Sequence, residues 1–285
     1  MKNNDLEFLA RLLKQHTGMV LLAGKGYLIE TRLMPIARTR SMAGSGALIG
    51  ALRMGHDKEL AREVIEAMTT NESFFFRDWK MFERLRTDIL PRLLLDRAQT
   101  RQLRIWSAAC SSGQEPYSVA MLLCQLAPEF TGWTIEVLAT DLSRASLNQA
   151  RAGRYSQFDV QRGLPIRFLL KYFEPAGDGY WRVEERIRDR VRFQEANLLD
   201  GFEGFGAFDL ILCRNVLIHF DAALMKSTLD RMAGALRAGG YLFLGGAESV
   251  VGVSERFEPI DGLGGFFGLA TRAGPHGGLE RREAG

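Results

Sequence analysis

The spacing of hydrophobic positions changes character near residue 100. Over residues 5–67 it is helical: Leu6, Leu9, Leu12 and Leu13 make one stripe, and Leu60, Val64, Ile65 and Met68 make another. Between them, Leu28, Ile29, Leu33 and Ile36 share a segment with Lys25, Arg32, Arg38 and Arg40, which predicts a helix with an apolar side and a basic side. Thr69–Asp78 interrupts the pattern, with hydroxyl and amide residues before Phe74, Phe75 and Phe76; this reads as a loop entering a helix that runs from Trp79 through Leu85 toward Pro91. From Arg101 short apolar runs take over. Candidate strands Leu103–Ala109, Thr134–Ala139, Val191–Glu195, Phe208–Cys213 and Tyr241–Leu244 are mostly separated by helical stretches Glu115–Leu126, Arg144–Ala152 and Ala222–Leu236. Such alternation predicts a parallel sheet flanked by helices. Residues 156–190, with a Gly-rich turn before Tyr180-Trp-Arg-Val183, read as an inserted helix and hairpin. The tail from Ala273 is expected to be disordered.

Composition narrows the class. A chain of 285 residues with 46% hydrophobic and 25% charged residues suits one large domain plus a small one. The net charge of +3 decides nothing about partners, although the basic helix face near Arg32 fits either a solvated surface or a dock for an acidic partner. Cys110, Cys124 and Cys213 are sparse and lack a C-x-x-C, which argues for a reducing compartment and against disulfides or zinc. No apolar run is long and clean enough to span a bilayer, and the N-terminus lacks a signal core, so a cytoplasmic location is expected.

The chemistry concentrates in Arg104–Met121, a buried strand followed by the small-residue turn Ala109-Cys-Ser-Ser-Gly113 and the start of a helix. Ligands of open α/β sheets bind at such carboxyl ends of strands. The G-x-G-x-x-G and G-K-[ST] fingerprints are missing, and Glu115 in the turn disfavours a phosphate-rich ligand. A neutral or cationic nucleoside-like ligand suits the site better. Asp141, ending the second strand, suits ribose hydroxyls or a helix N-cap. Asn197 could bond the edge of a base with Leu198 beneath the ring, or simply form a turn. Phe208–Cys213 reads as a fully apolar strand delivering Arg214, Asn215 and Val216 to its carboxyl end, where buried polar groups need a ligand or a network. His219 is a candidate general base or a structural hydrogen-bonder. No ligand spacing for a metal is present, and Ser112 forms no nucleophile elbow.

Taken together, Thr69-Thr-Asn-Glu-Ser-Phe-Phe-Phe-Arg77, Trp106–Tyr117, Ala139-Thr-Asp141, Cys213-Arg-Asn-Val216 and Gly245-Gly-Ala-Glu-Ser249 resemble the CheR family of chemotaxis receptor methyltransferases. The resemblance implies an α/β fold: a doubly wound class I methyltransferase (Rossmann-like) sheet with a small inserted β-subdomain, plus a small all-α N-terminal domain. The expected organisation is a helical, receptor-docking domain over 1–75, a linker helix over 76–97, a methyltransferase domain over 98–272 and a flexible tail over 273–285. The resemblance further implies S-adenosylmethionine as donor, S-adenosylhomocysteine as product, and glutamates on the cytoplasmic helices of membrane chemotaxis receptors as acceptors. Cofactor contacts carried over by position are Asn71, Ser73, Arg77, Glu115, Asp141, Asn197, Leu198, Asn215 and Val216, with Arg77 and His219 near the chemistry. Lys25, Arg32, Arg38 and Arg40 fall on the family's receptor-docking helix. No nucleic acid, metal or membrane insertion is implied, and a monomer is expected. Two departures stand out. His219 occupies a position where the family often has Tyr, and Glu174-Pro-Ala-Gly-Asp-Gly179 is shorter than the turn some members use to grip a tethering peptide at the receptor C-terminus. Hence a tether-independent enzyme is expected, the rival being a catalytically silent adaptor that binds S-adenosylmethionine or S-adenosylhomocysteine.

Overall fold

The structure, a computed structural model, describes residues 3–21, 26–69 and 72–270. Four helices open the chain: α1 (Asn3–Thr17), α2 (Gly26–Thr39), α3 (Ser45–Met54) and α4 (Lys58–Met68). Their apolar stripes meet in a core of their own that includes Leu9, Leu13, Ile29, Leu33, Leu48, Leu60 and Val64. Asp57 starts α4 by accepting from the Leu60 amide at 2.8 Å, satisfying one of the donors a helix start leaves unpaired. The predicted tail over 273–285 lies outside the described residues.

Helix α5 (Trp79–Arg84), a π-helical turn (Leu85–Ile89) and α6 (Leu90–Asp96) follow. Residues 76–97 are more than a linker. Phe76, Phe82, Leu85, Ile89, Leu90 and Leu93 are buried in the sheet's core, and so is Phe75, which places the end of the helical domain nearer Thr69 than residue 75.

The sheet is built from β1 (Gln102–Ala108), β2 (Thr134–Asp141), β6 (Val191–Glu195), β7 (Phe208–Cys213), β8 (Leu236–Leu244), β9 (Phe257–Pro259) and β10 (Phe266–Leu269). Its order is β6-β2-β1-β7-β8-β10-β9, with the first five parallel and β10 antiparallel to both neighbours. Helices α7 (Gln114–Gln125), α8 (Arg144–Ala152) and α12 (Ala222–Ala235) follow β1, β2 and β7. Strand side chains alternate between two apolar layers: Leu103 and Ile105 face one, Trp106 and Ala108 the other. Trp106 is fully buried among Phe202, Phe205 and Phe208, and its indole N–H donates to Thr140 Oγ1 at 2.9 Å. The insertion is a three-stranded antiparallel sheet of β3 (Arg154–Ser156), β5 (Tyr180–Val183) and β4 (Phe173–Pro175), accompanied by α9 (Gln157–Gln161), α10 (Ile166–Tyr172) and α11 (Glu185–Arg188).

Strand β7 departs from the expected fully apolar run. Asp209 is completely buried, and it accepts from Arg97 Nε at 2.7 Å, Arg237 Nη1 at 3.1 Å and the Arg104 amide at 2.8 Å. One carboxylate thereby ties the end of α6, β1 and β8 to the central strand. A buried carboxylate in this setting requires those donors, because an unpaired one would lose far more solvation than the fold could recover. Replacement by alanine strands the Arg104 amide and two partly covered guanidinia. Asp209→Ala is expected to lower unfolding free energy by about 3 kcal/mol, read from urea midpoints at constant slope.

Candidate functional site

Strand order reverses between β1 and β7, the switch point at which open α/β sheets leave a crevice. A cleft with about 1000 Å³ of empty space, partly open to solvent, lies there. Its walls come from the residues after β1 (Ala109, Cys110, Ser111), β2 (Asp141, Leu142), β6 (Ala196, Asn197, Leu198) and β7 (Arg214, Asn215, Val216), together with Glu115. Thr17, Met19 and Thr69 of the helical segment and Ser73, Arg77 and His219 complete it. Backbone strain gathers at this rim: Ala109 (φ 55°), Ser111 (φ 52°) and Asn215 (φ 60°) are all left-handed without being glycine. Gly113 (φ 92°) has no alternative, since a Cβ there would stand 2.8 Å from the Ala150 Cβ.

The cavity is lined with charge arranged in layers. Glu115 is half-buried, accepting from Ser107 Oγ at 2.8 Å and from Arg214 Nη1 at 3.2 Å. Burial pushes its pKa up, while Arg214 and the Ser107 hydroxyl pull it back. Arg214 is itself nearly inaccessible, donating to Asp78 Oδ2 at 2.6 Å and to the Arg77 carbonyl at 2.8 Å, with Phe82 and Phe243 against its guanidinium. Asp141 holds the turns on either side of it, accepting from the Ser111 amide at 2.7 Å and the Ser143 amide at 2.8 Å. Burial raises its pKa too, opposed by those amide bonds. Behind the rim Glu248, also buried, accepts from the amides of Asn215 (2.7 Å), Val216 (2.9 Å), Leu217 (2.8 Å) and Gly245 (2.8 Å).

The cleft brings together Ser73, Arg77, Glu115, Asp141, Asn197, Leu198, Asn215, Val216 and His219 from distant parts of the chain. Asn71 and Lys25 lie outside the described residues. The helix N-cap reading of Asp141 is corrected: Ser143 caps α8, its hydroxyl accepting from the Ser146 amide at 3.1 Å. Asn197 lines the cleft, yet its amide is already committed. It donates to the His16 carbonyl at 2.7 Å and accepts from the Leu199 amide at 3.0 Å, so Asn197 joins the end of α1 to the rim rather than presenting an unengaged base-reading edge. His219 ends a 3₁₀ turn (Leu217–His219), and its carbonyl accepts from the Val20 amide at 2.9 Å.

The basic helix is also corrected in part. Arg32 donates to the Met68 and Thr69 carbonyls at 2.8 and 3.3 Å, and Arg40 is paired with Glu63 at 2.9 Å and Asp57 at 2.6 Å. Those two guanidinia fasten the helical domain internally, because helix ends and neighbouring carboxylates lie within their reach. Arg38 remains on the exposed face of α2. Sequence reasoning left Glu248 unweighed, its only signal being an acid after a Gly-Gly exit. Arg214 was flagged as a network member without its partners, which come from residues far away in the chain.

Comparison with known proteins agrees with this geometry. The description "CheR methyltransferase, all-alpha domain" matches residues 4–69, and "CheR methyltransferase, SAM binding domain" matches residues 71–264. The chain belongs to the CheR methyltransferase family. Chemotaxis protein methyltransferase Cher2 of Pseudomonas putida is 38% identical over 261 residues, covering 90% of this chain and 94% of that one. Chemotaxis protein methyltransferase 1 of Pseudomonas aeruginosa is 39% identical with the same coverage, 90% and 94%. Among solved structures, PKMT2 from Rickettsia typhi in complex with AdoHcy overlays with a TM-score of 0.36 and 15% identity over 61% of this chain and 26% of that one, an overlap too low to bear on the site.

As a CheR methyltransferase the chain uses S-adenosylmethionine, and the cleft fits that donor on chemical grounds. Its wall carries one buried and one half-buried carboxylate, Asp141 and Glu115, suited to a cationic nucleoside, and the buried Asn215 Oδ1 lacks a hydrogen-bond partner among the described residues. No three His, Cys, Asp or Glu side chains gather at metal-binding spacing among the described residues. In the CheR fold without ligand, Asp141 binds its proton more tightly than the unfolded chain does. Its contribution to stability therefore falls as pH rises from the ordinary value of 3.8 through the higher folded value. Asp141→Ala is expected to show a smaller loss of stability than wild type across that window, measured as urea midpoints over a pH series.

Proposed function

We propose that this chain transfers the methyl group of S-adenosylmethionine to glutamate side chains on the cytoplasmic helices of membrane chemotaxis receptors, leaving methyl esters. The observation that carries the reading is the cleft at the switch point, whose wall holds the carboxylates Glu115 and Asp141 together with Arg77 and His219. When bound, S-adenosylmethionine supplies a methyl carbon activated by the sulfonium. Asp141 would accept from ribose hydroxyls, Glu115 would hold the ammonium, and the Asn215 Oδ1 would take a donor of the ligand. Ser73, Leu198 and Val216 would complete the donor's surroundings. Arg77, stacked on Phe74 at 5.4 Å, is the group that orients the incoming carboxylate or the donor.

An exposed glutamate has a pKa of about 4.3 and is already ionised at neutral pH, so the reaction needs no general base. Positioning and partial desolvation of two opposite charges supply the catalysis. His219 in place of Tyr is therefore compatible with turnover, its role being to shape the cleft wall. Docking would use the exposed face of α2 around Arg38, with the protein acting as a monomer in the cytoplasm.

Tether independence is part of the same proposal. The turn between β4 and β5 closes tightly, with the Ala176 amide on the Tyr180 carbonyl at 2.8 Å and the Tyr180 amide on the Gly177 carbonyl at 2.9 Å. Little chain is left there to wrap a peptide.

Three outcomes are expected. Incubation with labelled donor and receptor cytoplasmic fragments should give base-labile carboxyl methylation; product binding without any transfer would favour the silent adaptor. Asp141→Ala should weaken S-adenosylhomocysteine binding about tenfold or more in calorimetry, the scale of a lost hydrogen bond to a charged group. Titration with a receptor C-terminal pentapeptide should show no binding in the micromolar range, and clear micromolar affinity would overturn the tether-independent reading.

A further inference from the structure

The helical domain reaches the cleft through one carboxylate that the proposed reaction does not use. Glu66, in the last turn of α4, has a side chain 15% exposed. It accepts from Ser143 Oγ at 3.0 Å and from the amides of Arg144 and Ala145, each at 3.3 Å. These groups belong to the N-terminus of α8, where backbone donors lack partners within the helix and negative charge is favoured.

The same serine faces the cleft side of the turn. The Ser143 amide donates to Asp141 Oδ1 at 2.8 Å, while Leu142 between them packs against the core of the helical domain. A continuous chain thus runs Glu66–Ser143–Asp141, from one domain's last helix to a carboxylate in the cleft wall. We infer that Glu66 is a positioning residue for the methyl donor: it fixes the Asp141–Ser143 turn from the neighbouring domain and so sets donor affinity. This rests on the reading of Asp141 as a donor contact.

The helical domain holds other parts of the cleft as well. The His16 carbonyl accepts from Asn197, the Val20 amide donates to the His219 carbonyl, and Lys14 pairs with Asp221 at 2.8 Å. Gly18 permits that approach, since a Cβ there would stand 2.2 Å from the end of the Leu224 side chain. With the segments around Asn197 and His219 still held by α1, loss of Glu66 removes the helical domain's hold on the Ser143 turn beside Asp141. By linkage, anything that shifts the helical domain on the sheet would alter donor affinity, and donor binding would resist that shift equally.

The test is calorimetry of S-adenosylhomocysteine with the full chain, which needs no acceptor protein. Glu66→Ala should weaken binding about fivefold or more, the lower end of ordinary coupling between sites. Glu66→Gln, which keeps the volume and one acceptor, should weaken it about twofold or more and carries the test if the alanine variant does not fold. In methyl transfer the donor KM should rise in step while kcat at saturating donor stays within about twofold, a split that general loss of structure would not produce. Unchanged affinity in both folded variants, with wild type binding normally, would overturn this inference and leave the proposed function standing. Wild type that bound no product would remove the donor assignment itself and this inference with it.

Discussion

The buried guanidinium of Arg214 is the interaction on which the cleft depends. It stands at the carboxyl end of β7, wedged against Phe82 and Phe243, and shares its donors among Glu115, Asp78 and the Arg77 carbonyl. Those oxygens come from the first helix after β1 and from the segment leading into α5. One cation therefore draws three parts of the chain to the switch point of the sheet. It also acts on Glu115 itself: burial raises that carboxyl's pKa, and Arg214 pulls against the rise. Removing one of these partners would leave the buried guanidinium with a donor unpaired in addition to its Nε, which has no hydrogen-bond partner among the described residues.

The two domains share the cleft rather than merely adjoining it. Glu66 approaches from α4, His16 and Val20 from the end of α1, and each is bonded to a loop that follows a different strand. A helical module with its own apolar core can shift as a unit, because its internal fastenings, including Arg32 and Arg40, do not involve the sheet. What ties it to the sheet combines these polar bonds with the apolar contact of Leu142. That combination makes the interface responsive to whatever the module's outer face touches.

Much of this was legible in the sequence. The alternation of strands and helices gave the parallel half of the sheet nearly to the residue: β6, β7 and α8 begin and end where hydrophobic period placed them. The antiparallel edge, β9 and β10, was missed because Phe257–Pro259 and Phe266–Leu269 are too short to show a period of their own. Residues that follow strands could be placed at the cleft rim, since strand ends can be read locally. Partnerships could not be. Nothing near Asn197 announces the carbonyl of His16, and nothing near Arg32 announces the end of α4, because both contacts exist only after two domains or two helices have packed. Asp209 went unremarked for the same reason: its three donors are brought to it by the fold.

Glu248 carries a consequence for anion binding behind the rim. The successive amides of Asn215, Val216 and Leu217 all converge on its carboxylate. Converging amides of this kind commonly cradle phosphate oxygens in other sheets. Here the protein has filled the cradle with an anion of its own, and Glu115 and Asp141 add further negative charge along the wall. Backbone amides that could otherwise receive an outside anion are thus spoken for by the chain itself, and the segment from Asn215 to Leu217 is held to the exit of β8 by that one carboxylate.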